Sequence, residues 1–459
     1  MPLDNLSTTL AKKNVELLEC DLYSPLYNKR SAADLSNAEK NLLRDVRQLT
    51  RRLVIQESLL APTLQGRLYL RDDIGLSTVT PLIGLEKLFV KFRVYSPKTE
   101  TWRTYGENSP LSFHGYNQRE RNIDSPSSET YSIGLASSEM LSSIEQKLSK
   151  AFTGQRIEQV VSSILTDNIK TNKQQFFEST AGADRPFRFI APYISPLEAI
   201  RLACLQAQTT DGRTNFFFYE TLDGFHFKSL QTLIREGKTK WQNNPIYVRR
   251  QTGGLSPTRD TQQLITAEYI NVITGYDIAY ALQHGYFSST TLGVDVLSGK
   301  YRLTPSSIMD DRFKQRTRLN STPLYDAEYG KISNPAARMF VVPTTSISAA
   351  NPALRQKDPS ISENFLEQTL AARNREMLEL QMITVRVKAA GAPNVNVGTV
   401  VHIEFPLNLN NQAHGVAPAN DMRSGLFLIV SVQHTLINRG NTFEYETIFE
   451  ACSDSILYS

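Results

Sequence analysis

Short apolar runs set apart by proline and glycine are the feature that most restricts how this chain can fold. In residues 46–140 the runs are 53–55, 66–70 and 88–95, and the residues that separate them are Pro62, Gly75, Pro81 and Pro97. Runs of this length are typical of β-strands, and strands broken this often build antiparallel sandwiches or barrels. We therefore predict a first β-barrel over residues 46–140.

The apolar period becomes helical after residue 141. One helix face carries a set of aliphatic residues, namely Ile157, Val160, Val161, Ile164 and Leu165. Residues 187–190 alternate like a strand and lie between this helix and the next one. The pattern predicts a small α/β domain over residues 141–212.

Two helix starts are predicted inside this domain. Ser195 followed by Pro196 and Glu198 combines an N-cap serine, a proline at the first helical position and a glutamate at the third. Ser142 and Glu145 have the same capping-box spacing. We therefore expect one helix to begin at each serine.

Strands return at residue 216. The aromatic run 216–219 and the run 225–230 flank Asp223-Gly224, which is a strong hairpin signal. Further strands are predicted at 383–387, 400–405, 426–432 and 443–449, with the last two paired across 438–441. These segments predict a second, discontinuous barrel over residues 213–248 and 381–455.

The final strand predicts one apolar face and one wet face. Phe443, Tyr445 and Phe449 alternate with the three acids Glu444, Glu446 and Glu450. An antiparallel sheet with one solvated side has this alternation. We interpret the acids as part of a wet surface of the assembled protein.

Two regions carry weaker patterns. Residues 249–380 are predicted to be an insertion domain with strands near 269–272 and 278–280, a long polar loop over 303–360 and a helix over 365–380. Residues 1–45 have no sustained period and are predicted to be an N-terminal arm. The predicted fold is thus mainly β with α+β parts: two antiparallel barrels, a small α/β domain and a peripheral insertion.

Composition excludes several classes of function. Charged residues make up 21% of the 459 residues and the net charge is +4, which gives no basic field that would indicate a nucleic-acid binder. The three cysteines have no disulfide or zinc spacing. No apolar stretch approaches the length of a membrane span, so we expect no membrane insertion by this chain.

The sequence carries no catalytic or metal-binding motif that we can identify. The adjacent acids Asp72-Asp73 and Asp310-Asp311 are interpreted as solvated turns. The histidines share no metal-ligand spacing; they are His114, His226, His284, His402, His414 and His434. We predict that the protein is not an enzyme and has no catalytic, metal or cofactor site.

Several segments together resemble the central hub family of contractile phage baseplates, which is related to the base of the type VI secretion spike. The segments that carry the resemblance are 54–58, 66–72, 81–88, 131–139, 156–164, 190–200, 216–225 and 425–434. The most specific is Ile190-Ala191-Pro192-Tyr193-Ile194-Ser195-Pro196-Leu197-Glu198-Ala199-Ile200. The similarity covers residues 50–300 and 365–455, in order.

The resemblance implies a structural protein of the virion tail that is assembled in the host cytoplasm. It implies a homotrimer in which each chain contributes two similar barrels, so that three chains form a pseudo-sixfold ring. The implied partners are the central spike protein, the tail tube protein, baseplate wedge proteins and the tape-measure protein. DNA would pass through the lumen without specific binding.

Three alternatives stay open at this point. A tail-associated cell-wall hydrolase would need a further module with buried acids, and residues 303–360 are too short and polar for one. A DNA-handling protein would need a denser basic stripe than Arg51-Arg52 and Arg249-Arg250 provide. The hub of a non-viral contractile injection device would have the same sequence features.

Overall fold

The structure is a computed structural model. It describes residues 15–24, 43–76, 82–96, 101–181, 187–250, 264–275, 277–309, 316–323, 325, 338–345, 348, 351, 353, 366–405, 423–440 and 442–457. The predictions for Asp310, Asp311 and His414 lie outside these residues. Within the described part of the chain, no helix combines the length and the hydropathy that a membrane span requires.

Strands dominate the regular structure, which confirms a mainly β protein with α+β parts. In chain order they are β1 (Val15–Tyr23), β2 (Leu43–Asp45), β3 (Thr50–Ser58), β4 (Gln65–Asp72), β5 (Lys87–Ser96), β6 (Thr101–Tyr105), β7 (Leu111–Ser125), β8 (Ser128–Ser137), β9 (Leu148–Gln155), β10 (Gln175–Phe177), β11 (Phe187–Ile194), β12 (Phe216–Thr221), β13 (Gly224–Ser229), β14 (Tyr247–Arg250), β15 (Leu264–Thr274), β16 (Ser288–Asp295), β17 (Tyr301–Ser307), β18 (Thr322–Pro323), β19 (Arg338–Thr344), β20 (Ile383–Ala390), β21 (Val400–Glu404), β22 (Gly425–Asn438), β23 (Phe443–Ser453) and β24 (Ser455–Ile456).

Helices pack against the sheets. Those of the described residues are α1 (Ser138–Glu145), α2 (Ile157–Ser163), α3 (Pro196–Gln206), α4 (Leu230–Asn243), α5 (Ile278–Gln283) and α6 (Leu366–Leu380). A π-helical turn, Ile164–Ile169, continues α2. The aliphatic face predicted for α2 and this turn is confirmed, because all five of its residues are buried.

The first barrel is a closed ring of eight strands. Going around the ring, the order is β3-β4-β8-β7-β5-β1-β23-β22, and β22 pairs with β3 to close it. Alternate residues point inward and form one apolar core, in which Leu53, Phe92 and Phe113 are almost fully buried. Closure removes the free strand edges that an open sheet would present.

The second barrel is a closed ring of six strands, in the order β22-β23-β20-β15-β14-β21. Its core contains Val385, Ile403 and Phe449, and α4 packs on it through Leu233 and Ile234. The prediction of a purely antiparallel barrel is wrong here, because β14 runs parallel to both β15 and β21. Parallel neighbours need a long connection, and residues 251–263 between β14 and β15 provide one.

One long hairpin belongs to both barrels. In β22 the residues 425–428 pair with β21 of the second barrel, and residues 431–437 pair with β3 of the first. In β23, Phe443 pairs with Val15 of the first barrel, while residues 446–453 pair with β20 of the second. The pairing of these two strands was predicted, and the structure confirms it.

The N-terminal region is more structured than the sequence analysis predicted. Residues 15–23 form β1, which pairs along its length with β5 and places Leu17, Cys20 and Leu22 in the first core. The segment predicted to be an N-terminal arm therefore includes a strand of the first barrel. Apolar and charged residues alternate over Val15–Leu17 and again over Leu18–Leu22, which is a strand pattern interrupted by a register shift after Leu17.

The α/β unit contains more of the chain than predicted. Its sheets are β10-β13-β12 and β9-β11, and its core includes Phe216, Phe218 and Phe227. The hairpin of β12 and β13 forms as predicted, but it does not join the second barrel's sheet. Phe217 and Tyr219 on its other face pack into the second core, so the hairpin lies between the two units.

The insertion is a three-stranded sheet, β17-β16-β19, covered on one side by α6. The helix predicted over 365–380 is confirmed. The strand predicted at 278–280 is wrong: these residues begin α5, because the Asp277 side chain accepts a hydrogen bond from the Tyr280 amide at 2.8 Å and caps a helix. Within the predicted polar loop 303–360, residues 338–344 form β19.

The two predicted capping boxes do not form. α3 begins at Pro196 with Ser195 at the N-cap position, but the Ser195 side chain makes no cap hydrogen bond. Instead, the Ser143 hydroxyl on α1 accepts from the Leu197 amide at 3.0 Å. The helix predicted to start at Ser142 starts at Ser138.

This tertiary cap makes a testable prediction. We expect Ser143→Ala to lower the free energy of unfolding by about 1 kcal/mol, because it leaves the buried Leu197 amide without its acceptor. Ser195→Ala, the matched control, should cost no more than a few tenths of a kcal/mol. Urea denaturation of both variants measures the difference, and equal midpoints would contradict the assignment of the cap to Ser143.

Candidate assembly surfaces

The acids considered as catalytic candidates stabilise a turn. Asp72 is buried at the end of β4 and accepts hydrogen bonds from the amides of Ile74 and Leu76 at 3.2 and 2.8 Å. Asp73 accepts from the Ser128 hydroxyl at 2.6 Å and from Arg71 at 3.1 Å. These contacts lower the pKa of Asp73 and hold both carboxylates within the fold of the turn.

Two of the described histidines, His226 and His434, have identifiable packing partners. His226 on β13 lies between the rings of Phe176 and Tyr219, and burial lowers its pKa to about 4. His434 on β22 is fully buried, and its Nδ1 lies 2.7 Å from the Tyr445 hydroxyl. Across the described residues, no group of histidine, cysteine, aspartate or glutamate side chains has the geometry of a metal site.

The cysteine thiols are buried in three different cores. Burial raises the pKa of Cys20 and of Cys204 to about 12, and that of Cys452 to about 11. A thiol is nucleophilic as the thiolate, so these side chains are unreactive at neutral pH. Their role is packing.

A buried carboxylate joins three parts of the molecule. Glu57 lies on β3 and accepts from the Leu222 amide, in the turn between β12 and β13, at 2.8 Å. It also accepts from the Val397 amide, in the loop between β20 and β21, at 3.1 Å. The first barrel, the α/β hairpin and the second barrel therefore meet at one side chain that is fully buried.

A second buried group joins the α/β unit to the first barrel. The Lys173 ammonium contacts Glu220 at 2.5 Å and Glu139 at 2.7 Å, and Glu220 also accepts from the Leu64 amide at 2.9 Å. Burial raises the pKa of Glu220. For Glu139 burial acts in the same direction, but Lys173 and two hydroxyl donors outweigh it and lower the pKa. Lys173, the hydroxyls of Ser137 and Thr171 and the Leu64 amide together supply donors to both carboxylates, so the cluster is a structural contact.

Neither the Glu57 junction nor the Lys173–Glu220 cluster is predicted from the sequence, although Glu57 carries one signal. Glu57 follows Leu53 and Ile55 at the inward positions of a strand, where a carboxylate is costly unless it is hydrogen-bonded. The partners are residues 222 and 397, and no local pattern indicates them. Lys173 and Glu220 have no sequence signal that we can identify.

The outer side of the shared hairpin forms a polar wall across both barrels. On β23 the predicted alternation is confirmed in part: Tyr445 and Phe449 are buried and Glu444 and Glu450 are partly exposed, whereas Phe443 is only partly buried and Glu446 is buried. Each acid is paired, Glu444 with Arg439 at 3.0 Å, Glu450 with Arg386 at 2.5 Å, and Glu446 with Lys388 at 3.5 Å.

The wall continues onto the neighbouring strands of the first barrel. Gln433 on β22 is paired with Gln56 on β3. Val54, two residues before Gln56 on the same strand, is paired with Arg67 on β4. The outward positions of six adjacent strands, β15-β20-β23-β22-β3-β4, thus form one continuous surface. It carries amide, hydroxyl and paired charged groups, together with the exposed side chains of Tyr269 and Ile273 on β15.

Comparisons with solved structures show several tail proteins of similar fold. A tail protein from Neisseria meningitidis aligns over 95% of this chain and 96% of its own length, with 10% identity and a TM-score of 0.49. The 43 kDa tail protein of prophage MuSo2 from Shewanella oneidensis aligns over 95% and 99%, with 10% identity and a TM-score of 0.49.

A component of the Escherichia coli type VI secretion system, which is similar in structure to bacteriophage T4 tail proteins, aligns over 89% of this chain and 74% of its own length. Its identity is 11% and its TM-score is 0.41. These neighbours are tail proteins and a component of a type VI secretion system. No protein-family model and no curated protein sequence matches the chain.

Proposed function

We propose that the chain is the structural hub of a contractile tail baseplate, where three copies form a ring between the tail tube and the central spike. The observation that carries the proposal is the pair of closed barrels built on one hairpin. Each chain thereby contributes two tube-like units whose relative position is determined by continuous β-strands. The hub resemblance in the sequence supports the same function.

Symmetry explains why two barrels per chain are useful in such a hub. Three copies would supply six barrels, so one side of the ring could match a sixfold tube while the other retains the threefold symmetry of a spike. The barrels have eight and six strands, so the sixfold symmetry would be approximate. Barrel closure leaves side chains, rather than open strand edges, as the main contact surfaces.

The polar wall is the best candidate for the channel lining. A channel through which DNA and the tape-measure protein slide needs a hydrated surface without large apolar patches. The ion pairs on the wall compensate basic groups with acidic ones, which limits adhesion of the DNA backbone. In this arrangement the lumen binds no specific sequence, and wedge proteins would contact the opposite, peripheral side near the insertion.

The buried carboxylates support a mechanical function. Glu57 and Glu220 each satisfy groups from different units, and such contacts are lost if the units separate. A hub that transmits the movement of a contracting tail needs this rigidity. Asp72, Asp73, His226 and His434 have structural partners, and the proposal assigns no catalytic residue to the chain.

The proposal predicts three copies of the chain per tail. Electron cryo-microscopy of the purified particle should show a ring of three chains at the junction of tube and spike, with the wall formed by β20, β22 and β23 facing the channel. Quantitative mass spectrometry against the spike protein provides an independent copy number. Six copies, one copy, or a location away from this junction would exclude the hub function.

A further inference from the structure

The insertion sheet has one face that the other described residues leave largely exposed. α6 covers the other face: its Glu367 carboxylate contacts Arg302 at 2.7 Å and lies so close to Gly293 that a Cβ there would clash. Successive residues of a strand point to opposite faces of a sheet, so the residues adjacent to Gly293 and Arg302 point away from α6. Across β17-β16-β19 the residues on this side form three rows, Pro305–Thr290–Met339, Leu303–Leu292–Val341 and Tyr301–Val294–Pro343.

This exposed face, which we call the insertion face, is apolar. None of its nine positions carries a charged side chain, and eight of them are hydrophobic or proline. Five of these, together with Val296 and Leu297 in the adjoining turn, are large apolar residues that are 37–73% exposed. A sheet face of this kind normally packs against another layer.

The exposed apolar area of the insertion face is close to the area that one partner buries in a stable complex. Seven such side chains expose roughly 700 Å², taking about 150–250 Å² for a large side chain that is fully accessible. The largest apolar patch on a typical monomer is about 300–600 Å². A stable complex buries about 800 Å² on each partner. The insertion face therefore has enough area for a specific contact.

We propose that a second copy of this chain covers the insertion face, with the two identical faces stacked on each other. Stacking would bury roughly 1,400 Å² in total, within the range of stable dimers. It would place two apolar sheets at the spacing of about 10 Å found in β-sandwiches. An uncharged face has no like charges to bring together when it meets its own copy.

The described surface offers no alternative of equal size on the same chain. Among the described strands outside the insertion, no two paired neighbours both carry an exposed large apolar side chain, whereas all three strands of the insertion sheet do. A contact between two different faces of neighbouring copies would therefore leave much of the insertion face uncovered. Self-pairing covers all of it.

The contact has a consequence for assembly. A two-fold contact of identical faces joins two chains and cannot by itself close a ring of three. The dimer is thus a form of the free chain, distinct from the trimeric ring of the proposed hub. The inference does not rest on the proposed hub function, because it concerns the isolated protein.

Charge substitution on the face tests the proposal. We expect the wild-type chain at about 10 µM to sediment with twice the mass of one chain, since interfaces of this size give micromolar or tighter affinity. Leu303→Glu with Val341→Glu should weaken the dimer more than about 100-fold, because carboxylates would then face each other. Leu303→Lys with Val341→Lys should have the same effect.

Mixing the two double variants identifies the partner. Residues 303 and 341 flank Leu292 in the central row, so either orientation of the two-fold axis through this row brings glutamates against lysines. The mixture should therefore regain a dimer that contains one chain of each kind. Both residues are exposed, so the variants should melt like the wild type, which thermal unfolding checks.

A matched control places the same charges elsewhere. Tyr116 and Ile123 are two exposed apolar residues on β7, and Tyr116→Glu with Ile123→Glu should leave the dimer intact.

A wild-type chain that stays monomeric at about 100 µM would overturn the proposal. So would double variants that still associate, or a mixture that stays monomeric, since the face would then meet a different surface. None of these results decides whether the chain is a hub, because that proposal is tested separately by the copy number in the tail.

Discussion

Replacing Glu57 with alanine is expected to lower the free energy of unfolding by about 3 kcal/mol. The substitution leaves the buried amides of Leu222 and Val397 without acceptors, and an unsatisfied buried donor costs about 1–3 kcal/mol. Glu57→Gln retains one carbonyl oxygen and should have an intermediate effect. Chemical denaturation of the purified variants measures all three free energies.

The neighbouring residue provides the control. Gln56 lies on the same strand with its side chain exposed, so Gln56→Ala should change stability by less than about 0.5 kcal/mol. Amide exchange at residues 222 and 397 should accelerate in the Glu57→Ala variant before other amides respond. If Glu57→Ala unfolds at the same denaturant concentration as Gln56→Ala, the junction does not hold the units together.

Phe449→Ala is expected to destabilise both barrels, although the side chain lies in only one core. Phe449 is almost fully buried in the second barrel, and truncating such a residue costs about 3–5 kcal/mol. Because β23 also completes the first barrel, amide protection in β4 should fall together with protection in β20. Hydrogen exchange followed by mass spectrometry can resolve these two strands.

A cavity made outside the shared hairpin should reduce amide protection only in the strands around it. Phe287 is equally buried in the core of the insertion, so Phe287→Ala removes a side chain of the same size. It should reduce protection in β16 and leave β4 protected. Loss of protection in β20 with β4 unchanged in the Phe449→Ala variant would mean that the barrels unfold independently.

Local patterns were sufficient to predict individual elements. The aliphatic face of α2, the hairpin around Asp223-Gly224 and the pairing of β22 with β23 depend on residues close in sequence, and all three form as predicted. The strand predicted at 278–280 failed because Asp277 caps a helix there. In this case one hydrogen bond outweighed the β propensity of the aromatic and aliphatic residues.

Long-range relations could not be predicted. That β22 serves two barrels depends on its pairing with β3, and the residues that meet there are far apart, for example Ser431 and Glu57. The ligands of Glu57 and the exposure of the insertion face likewise follow from the tertiary arrangement. Val294 and Val341 are typical strand residues in the sequence, and only the position of α6 shows that their side is uncovered.

The shared hairpin also determines when the protein can fold during its synthesis. The first barrel begins with β1 and β3 near residues 15–58, but the strands that close it are translated only at residues 425–453. A growing chain therefore carries two open barrels until the ribosome has passed this segment, with β3 and β21 each lacking a neighbour. Chains interrupted before residue 425 would expose these edges, which bind chaperones or aggregate. Only chains translated through the hairpin can form closed barrels.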